Sequence, residues 1–166
     1  ERAVEFLKAR AGPQQVLDLC TGCGPIATAI AANCPQARIV ATDISDEALA
    51  VAAENIATHK VSNRVELRQG DLFEPVLEYL DQGGFDLIVC NPPYVSKAEW
   101  QRLDRCVRDY EPRCALYAGE DGLDVYQRIA AQAGDFLKAP EAALMLEIGF
   151  TQADAVRRLL QERQLF

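Results

Sequence analysis

The residues best suited to chemistry lie in a few short stretches. Asn91-Pro92-Pro93-Tyr94 follows the apolar run "FDLIVC" and sets a polar amide and an aromatic ring on either side of two consecutive prolines. Neither proline can donate a backbone hydrogen bond, and each fixes its own φ and confines its predecessor to extended conformations. A strand ending there leaves its sheet abruptly and stays stiff. The Asn91 side-chain oxygen and the Pro92 carbonyl then form an acceptor pair able to hold both N–H groups of a planar amide or aryl amine. Such a nitrogen is a poor nucleophile because its lone pair is delocalised. Positioning it is worth several kcal/mol, up to ~7–11 in the best intramolecular systems. Tyr94 would lie flat against the planar group, and the prolines would keep the acceptors from reorganising during reaction. Taken alone, the tetrapeptide reads equally well as a proline-rich turn with Asn91 capping backbone groups. Its setting decides between the two.

That setting includes "DLCTGCGP", Asp18 to Pro25, between an expected strand and an expected helix. Glycines there let the backbone turn sharply and approach a ligand, while a helix starting at Pro25 offers free N–H groups and a positive dipole end. One strand later, Asp43 closes "IVATD", where a carboxylate can accept both hydroxyls of a ribose. Asp71 in "GDLF" adds a polar group after the third strand. A glycine loop with a distal acid suits a dinucleotide as well as other nucleoside cofactors. Here the third glycine of G-x-G-x-x-G is missing, and Asp18 would repel a pyrophosphate. An acid at that point suits a cofactor carrying an amino group and a sulfonium charge.

Other candidates are weaker. Cys20 and Cys23 form a C-x-x-C, but no second pair completes a zinc site, and the glycines do not suit a thioredoxin-like helix start. No metal is expected. His59, the only histidine, falls at the end of a surface helix. "RLDRCVRDYEPR" carries four arginines but reads as a solvated face of mixed charge.

These groups must be carried by a scaffold, and the chain alternates strand-like and helix-like segments throughout. Strands are expected at "QQVLDLC", "ARIVATD", "RVELRQGD", "FDLIVC" and "AALMLEI". Helices are expected at "ERAVEFLKAR", "PIATAIAAN", "DEALAVAAENIATH", "LDVYQRIAAQAGDFL" and "TQADAVRRLLQER", with Asn91 to Gly122 irregular. Val4, Leu7 and Ala11 mark the apolar face of the first helix. Leu49, Ala52, Ala53 and Ile56 mark that of the third, behind Ser45 and Asp46 as N-caps. Short apolar strands alternating with amphipathic helices specify an α/β fold: a three-layer, doubly wound, mainly parallel sheet. Right-handed crossovers place every strand C-terminus, and so the ligand, on one edge. The 166 residues suffice for one domain, 1–166. The last strand would leave a bare sheet edge, so a C-terminal strand pair is expected to be missing and the chain is read as a piece of a longer one. Net charge is −8, from 17 basic and 25 acidic residues, which argues against stable nucleic-acid binding. No apolar run approaches the ~20 residues that span a bilayer. The six cysteines are scattered through apolar segments and read as cytosolic thiols.

The D-x-x-x-G-x-G loop with its ribose acid resembles that of class I, Rossmann-like methyltransferases dependent on S-adenosyl-L-methionine. N-P-P-Y is shared by enzymes of that class acting on amide or exocyclic amino nitrogen: DNA adenine enzymes, ribosomal RNA guanine enzymes, and HemK-type glutamine methyltransferases of peptide chain release factors. "DYEPRCALYAGEDGLDVYQRI" and "LEIGFTQADAV" are similar to the last group. The resemblance implies N5-methylation of the glutamine in a Gly-Gly-Gln loop, with a release factor as the partner in the cytoplasm. It places Cys20, Thr21, Gly22, Cys23 and Gly24 on the methionine-binding loop, Asp43 on the ribose, and Asp71 with Leu72 on the adenine. Asp18 and Asn91 also border the cofactor. Asn91, Pro92 and Tyr94 fall on the catalytic positions, and Pro93, Glu111 and Pro112 join them in holding substrate. The family has glycine where Cys20 stands. A cysteine is reluctant to adopt φ > 0, so a slightly altered loop is expected. The family's N-terminal helical domain is expected to be missing from these 166 residues.

Overall fold

The computed structural model describes residues 1–138 and 140–165. Two compact units are distinguished: Glu1–Cys90 with Asp135–Met145, and Asn91–Gly134 with the chain from Leu146 on. The first is built on strands β1 (Gln14–Leu19), β2 (Ala37–Asp43), β3 (Val65–Gln69), β4 (Leu87–Cys90) and β5 (Ala143–Leu146). They run in the order β3-β2-β1-β4-β5, and β1 pairs in parallel with both β2 and β4, as β2 does with β3. Strand order reverses at the β1/β4 boundary, where a doubly wound sheet opens a crevice beyond its strand C-termini. Asp18 and Leu19 sit opposite Val89 and Cys90 in that register. The loop after β1 therefore leaves the sheet beside the C-terminal end of β4.

β1 and β4 are almost continuously buried, as strands covered on both faces must be. Helix α1 (Arg2–Lys8) buries Leu7 and half-buries Val4, but it stops before Ala11, which is exposed. Gly12 at φ 84 lies just beyond, in a conformation no helix continues. Helix α2 (Pro25–Asn33) begins on a proline, and α3 (Asp46–Thr58) takes Ser45 as its N-cap, the hydroxyl accepting from the Ala48 N–H at 3.1 Å. Leu49, Ala52 and Ile56 of α3 are buried; Ala53, expected beside them, is exposed, so the buried stripe is narrower than the apolar one. A 3₁₀ segment, Glu74–Leu80, follows β3.

In the second unit the stretch expected to be irregular contains three single-turn helices, α4 (Lys97–Trp100), α5 (Arg105–Arg108) and α6 (Arg113–Leu116). Ser96 and Glu99 form a reciprocal capping box on α4, and Asp104 caps α5. Helices α7 (Asp124–Phe136) and α8 (Ala153–Glu162) complete the described elements. Tyr126 of α7 is buried, and its hydroxyl donates to the Glu147 carbonyl at 2.9 Å.

Aromatic stacking closes the first unit. Phe136 stacks on Phe73 with centroids 4.6 Å apart, and its carbonyl accepts from the Phe85 N–H at 2.7 Å. Phe136→Ala is expected to cost about 3–5 kcal/mol, the range for emptying a well-packed phenylalanine site. Urea unfolding checks this, and an unchanged midpoint would show that the stack contributes nothing.

Candidate functional site

Asp18 lies on the central strand with no access to water. Its Oδ2 accepts from the Thr21 hydroxyl at 2.6 Å and from the Ala27 N–H at 3.0 Å, tying the loop and the first turn of α2 to the sheet. Among the described residues its Oδ1 is buried without a partner. Burial pushes this carboxyl from 3.8 up to about 7, against the pull of the Thr21 and Ala27 bonds and with a smaller push from the Asp43 charge. Asp18 thus braces the loop from beneath.

Above it the loop is held by Asp43, which is half-buried. Asp43 Oδ2 accepts from the Gly22 N–H at 2.7 Å and Oδ1 from the Ser45 N–H at 2.9 Å, so each oxygen keeps a lone pair for a further donor. The Thr21 N–H donates to the Thr42 carbonyl at 2.9 Å, and the Thr42 hydroxyl to the Leu72 carbonyl at 3.3 Å. The loop, Thr42–Asp43 and Leu72 are therefore one hydrogen-bonded edge. Leu72 is buried at φ 49, and Asp71 beside it is half-buried. Gly24 caps α2 at φ 79; a Cβ there would stand 3.1 Å from Ala52 Cβ, so α3 can press on the loop only if this residue is glycine.

Cys20 takes φ 55, so the backbone keeps the turn a glycine would make and bears the strain instead. Burial pushes the Cys90 thiol well above its usual range, and Cys20, Asp18 and Asp43 add to that. Cys23 is exposed, and its carbonyl accepts from the Asn55 side chain at 2.8 Å. Among the described residues no cluster of His, Cys, Asp and Glu could hold a metal ion.

In the second unit Asn91 is exposed, Pro92 buried, and Pro93 and Tyr94 half-buried. Among the described residues neither the Asn91 side chain nor the Pro92 carbonyl has a hydrogen-bond partner. The segment is anchored just downstream. The Val95 N–H donates to Leu116 at 2.7 Å, and the Val95 carbonyl accepts from Ala118 at 3.0 Å. This bridge joins the tetrapeptide to α6, whose N-cap is Pro112; Glu111 and Pro112 are themselves exposed.

Sequence reasoning missed Gln152. It is 9% exposed, its Nε2 donates to the carbonyls of Tyr94 at 3.0 Å and Gly122 at 3.2 Å, and its Oε1 accepts from the Gly149 N–H at 3.1 Å. One side chain clamps three motif segments. Gly122, at φ 77, is required there, since a Cβ would fall 2.4 Å from the Tyr94 carbonyl. A lone glutamine before a helix carries no periodicity that announces such a role.

Residues 3–107 match the sequence model of the methyltransferase small domain. A release factor glutamine methyltransferase of Koribacter versatilis is 40% identical over 161 residues, covering 96% of this chain and 55% of that protein. A ribosomal protein uL3 glutamine methyltransferase of Bordetella pertussis is 44% identical over 136 residues, covering 82% of this chain and 44% of that protein. The crystal structure of a ribosomal protein L11 methylase from Lactobacillus delbrueckii subsp. bulgaricus superposes with a TM-score of 0.64 at 22% identity, over 97% of this chain and 65% of that one. The fold is that of the class I methyltransferases. The chain spans about half the length of the curated relatives it matches.

In the unfolded chain Asp18 ionises near 3.8 and in the folded chain near 7. Between those values the folded state holds a proton the unfolded state has released, so stability falls as pH rises, by up to about 1.4 kcal/mol per pH unit, and levels off above. Asp18→Asn keeps an acceptor for Thr21 and Ala27 but removes the titration. Denaturant unfolding from pH 4.5 to 8 should show the wild type losing ground to the variant as pH rises. A difference independent of pH would mean that Asp18 does not titrate there. Separately, Gln152→Ala should cost about 2–3 kcal/mol through the unpaired groups it leaves. Amide exchange at Gly149 should quicken; unchanged protection would argue against the clamp.

Proposed function

Because the chain belongs to the methyltransferase small domain family, we propose that it methylates a glutamine side-chain nitrogen, N5, in the Gly-Gly-Gln loop of a peptide chain release factor. The observation that carries the reading is the pair of free acceptors, Asn91 Oδ1 and the Pro92 carbonyl, on a diproline segment anchored at Val95. A primary amide offers two N–H groups in one plane, and this pair suits it. Relatives named glutamine methyltransferases support the same acceptor.

The cofactor in this proposal is S-adenosyl-L-methionine, which supplies an electrophilic methyl group when bound. The residues fit it. The backbone from Cys20 to Gly24, with Thr21 and Cys23, would receive the methionine end, held in shape by Asp18 below. The remaining lone pairs of Asp43 would accept the ribose hydroxyls, and Asp71 with Leu72 would flank the adenine. Asn91 and Pro92 would draw on the two N–H bonds of the amide, fixing its plane and favouring the positive character the nitrogen gains as the new bond forms. The released proton passes to solvent. Tyr94 and Pro93 would border the amide, while Glu111 and Pro112 would meet the substrate polypeptide. A release factor substrate carries with it a cytoplasmic location. Among the described residues no helix is long and apolar enough to cross a membrane.

The relative named for uL3 favours a second reading, the same chemistry on a glutamine of a ribosomal protein. Adenine or guanine in nucleic acid fits less well with a net charge of −8.

Incubation with labelled methyl donor and release factor, uL3 or DNA, followed by mass spectrometry, separates these readings. Release factor should gain one methyl group on glutamine. Labelling of uL3 alone, or of adenine, would reject the substrate while keeping the acceptor mechanism. Asn91→Ala should lose ~10²-fold or more in methyl transfer with cofactor affinity nearly unchanged, the scale for removing one preorganised partner. Asn91→Asp keeps acceptors but adds a charge, and should also fall. Full activity in Asn91→Ala would reject the mechanism.

A further inference from the structure

At the opposite, N-terminal edge of the same sheet, two arginines stand side by side. Ile39 pairs with Val65, and the Ile39 N–H donates to the Arg64 carbonyl at 2.8 Å, so Arg38 on β2 and Arg64, the residue before β3, are neighbours. Strand spacing is ~4.8 Å, and facing like charges destabilise a sheet. Neither guanidinium is paired with a carboxylate among the described residues. Among the described residues Arg38 donates only to the Asn63 carbonyl, at 2.6 Å, and Arg64 Nε is enclosed without a partner. The nearby acids are already engaged: Glu66 with Arg68 at 2.7 Å, and Asp86 with Lys138 at 3.1 Å. Both arginines, with Gln15, Ser62, Asn63, Tyr79 and the Arg68-paired Glu66, line a cavity of about 560 Å³.

We propose that this cavity is a phosphate-binding site, its anion held between Arg38 and Arg64 with Ser62 and Asn63 as neutral donors. Two guanidiniums without counter-charge, one of them carrying a buried unmet N–H, are a donor set that a tetrahedral oxyanion completes. A single carboxylate fills it less well, because it offers two oxygens to a fork on each side. The phosphate is either a free ion or the end of a phosphomonoester. The site uses no residue of the proposed methyl-transfer machinery and stands or falls apart from it.

The test is the thermal midpoint of the full chain in inorganic phosphate, against sodium chloride at equal ionic strength. With a dissociation constant near ~1 mM, 10 mM phosphate should raise the wild-type midpoint by roughly 3–5 °C over chloride. Arg64→Gln and Arg38→Gln should each lose that rise. General salting effects of phosphate act on all the proteins alike and cancel in the comparison. Glycerol phosphate in place of phosphate identifies the source. An equal rise supports a phosphomonoester, and a rise with inorganic phosphate alone supports the free ion. No excess over chloride in the wild type, or an excess retained in both variants, overturns the proposal.

Discussion

A carboxyl group sealed from water at the centre of the sheet is the constraint around which the first unit is organised. Asp18 exchanges hydration for two bonds, and those bonds fix where the loop after β1 turns and where α2 starts. Desolvation dominates over the bonds, so the carboxyl is pushed up to about 7. A more exposed acid would be cheaper to ionise but would hold nothing. Everything on the C-terminal edge inherits its position from this brace. Gly22 reaches Asp43 because Thr21 is pinned, and Asp43 reaches Ser45 as its strand runs into α3.

The second unit solves the same problem by other means. Prolines cannot be secured by their own N–H groups, so the segment from Asn91 to Tyr94 is secured at its exit, through Val95 and the Tyr94 carbonyl. Stiffness comes from the rings and location from the anchors, and the Asn91 amide is left unspent.

The sheet was legible because β1, β2 and β4 each carry a short β-branched or leucine-rich apolar run between glycine, proline and polar breaks, a pattern fixed by burial on both faces. The acids at strand ends were legible for the same reason: strand C-termini are predictable positions. What escaped depended on neighbours remote in sequence. Ala11 and Ala53 are apolar yet exposed, since alanine is too small to declare a face. The stretch after Tyr94 looked irregular because three one-turn helices leave no periodicity, although the Ser96–Glu99 capping box was there to be seen. Gln152 and the Arg38–Arg64 pair acquire meaning only from registers and returns that bring distant segments together. Cys20 was expected to alter its loop. Instead the left-handed backbone is retained, at a cost of about 1–2 kcal/mol for a residue with a Cβ.

The loop also carries a chemical tag of its own. Cys23 is an exposed thiol in the turn, and its backbone is leashed to α3 through Asn55. Anything that settles on the glycines changes the access of solvent to that sulfur. The rate at which a mild alkylating agent consumes it becomes a clock for occupancy, readable without a chromophore or an engineered label. The five other thiols set the background: two are buried and one half-buried, while Cys106 and Cys114 are exposed in the other unit. Peptide mapping tells their adducts apart.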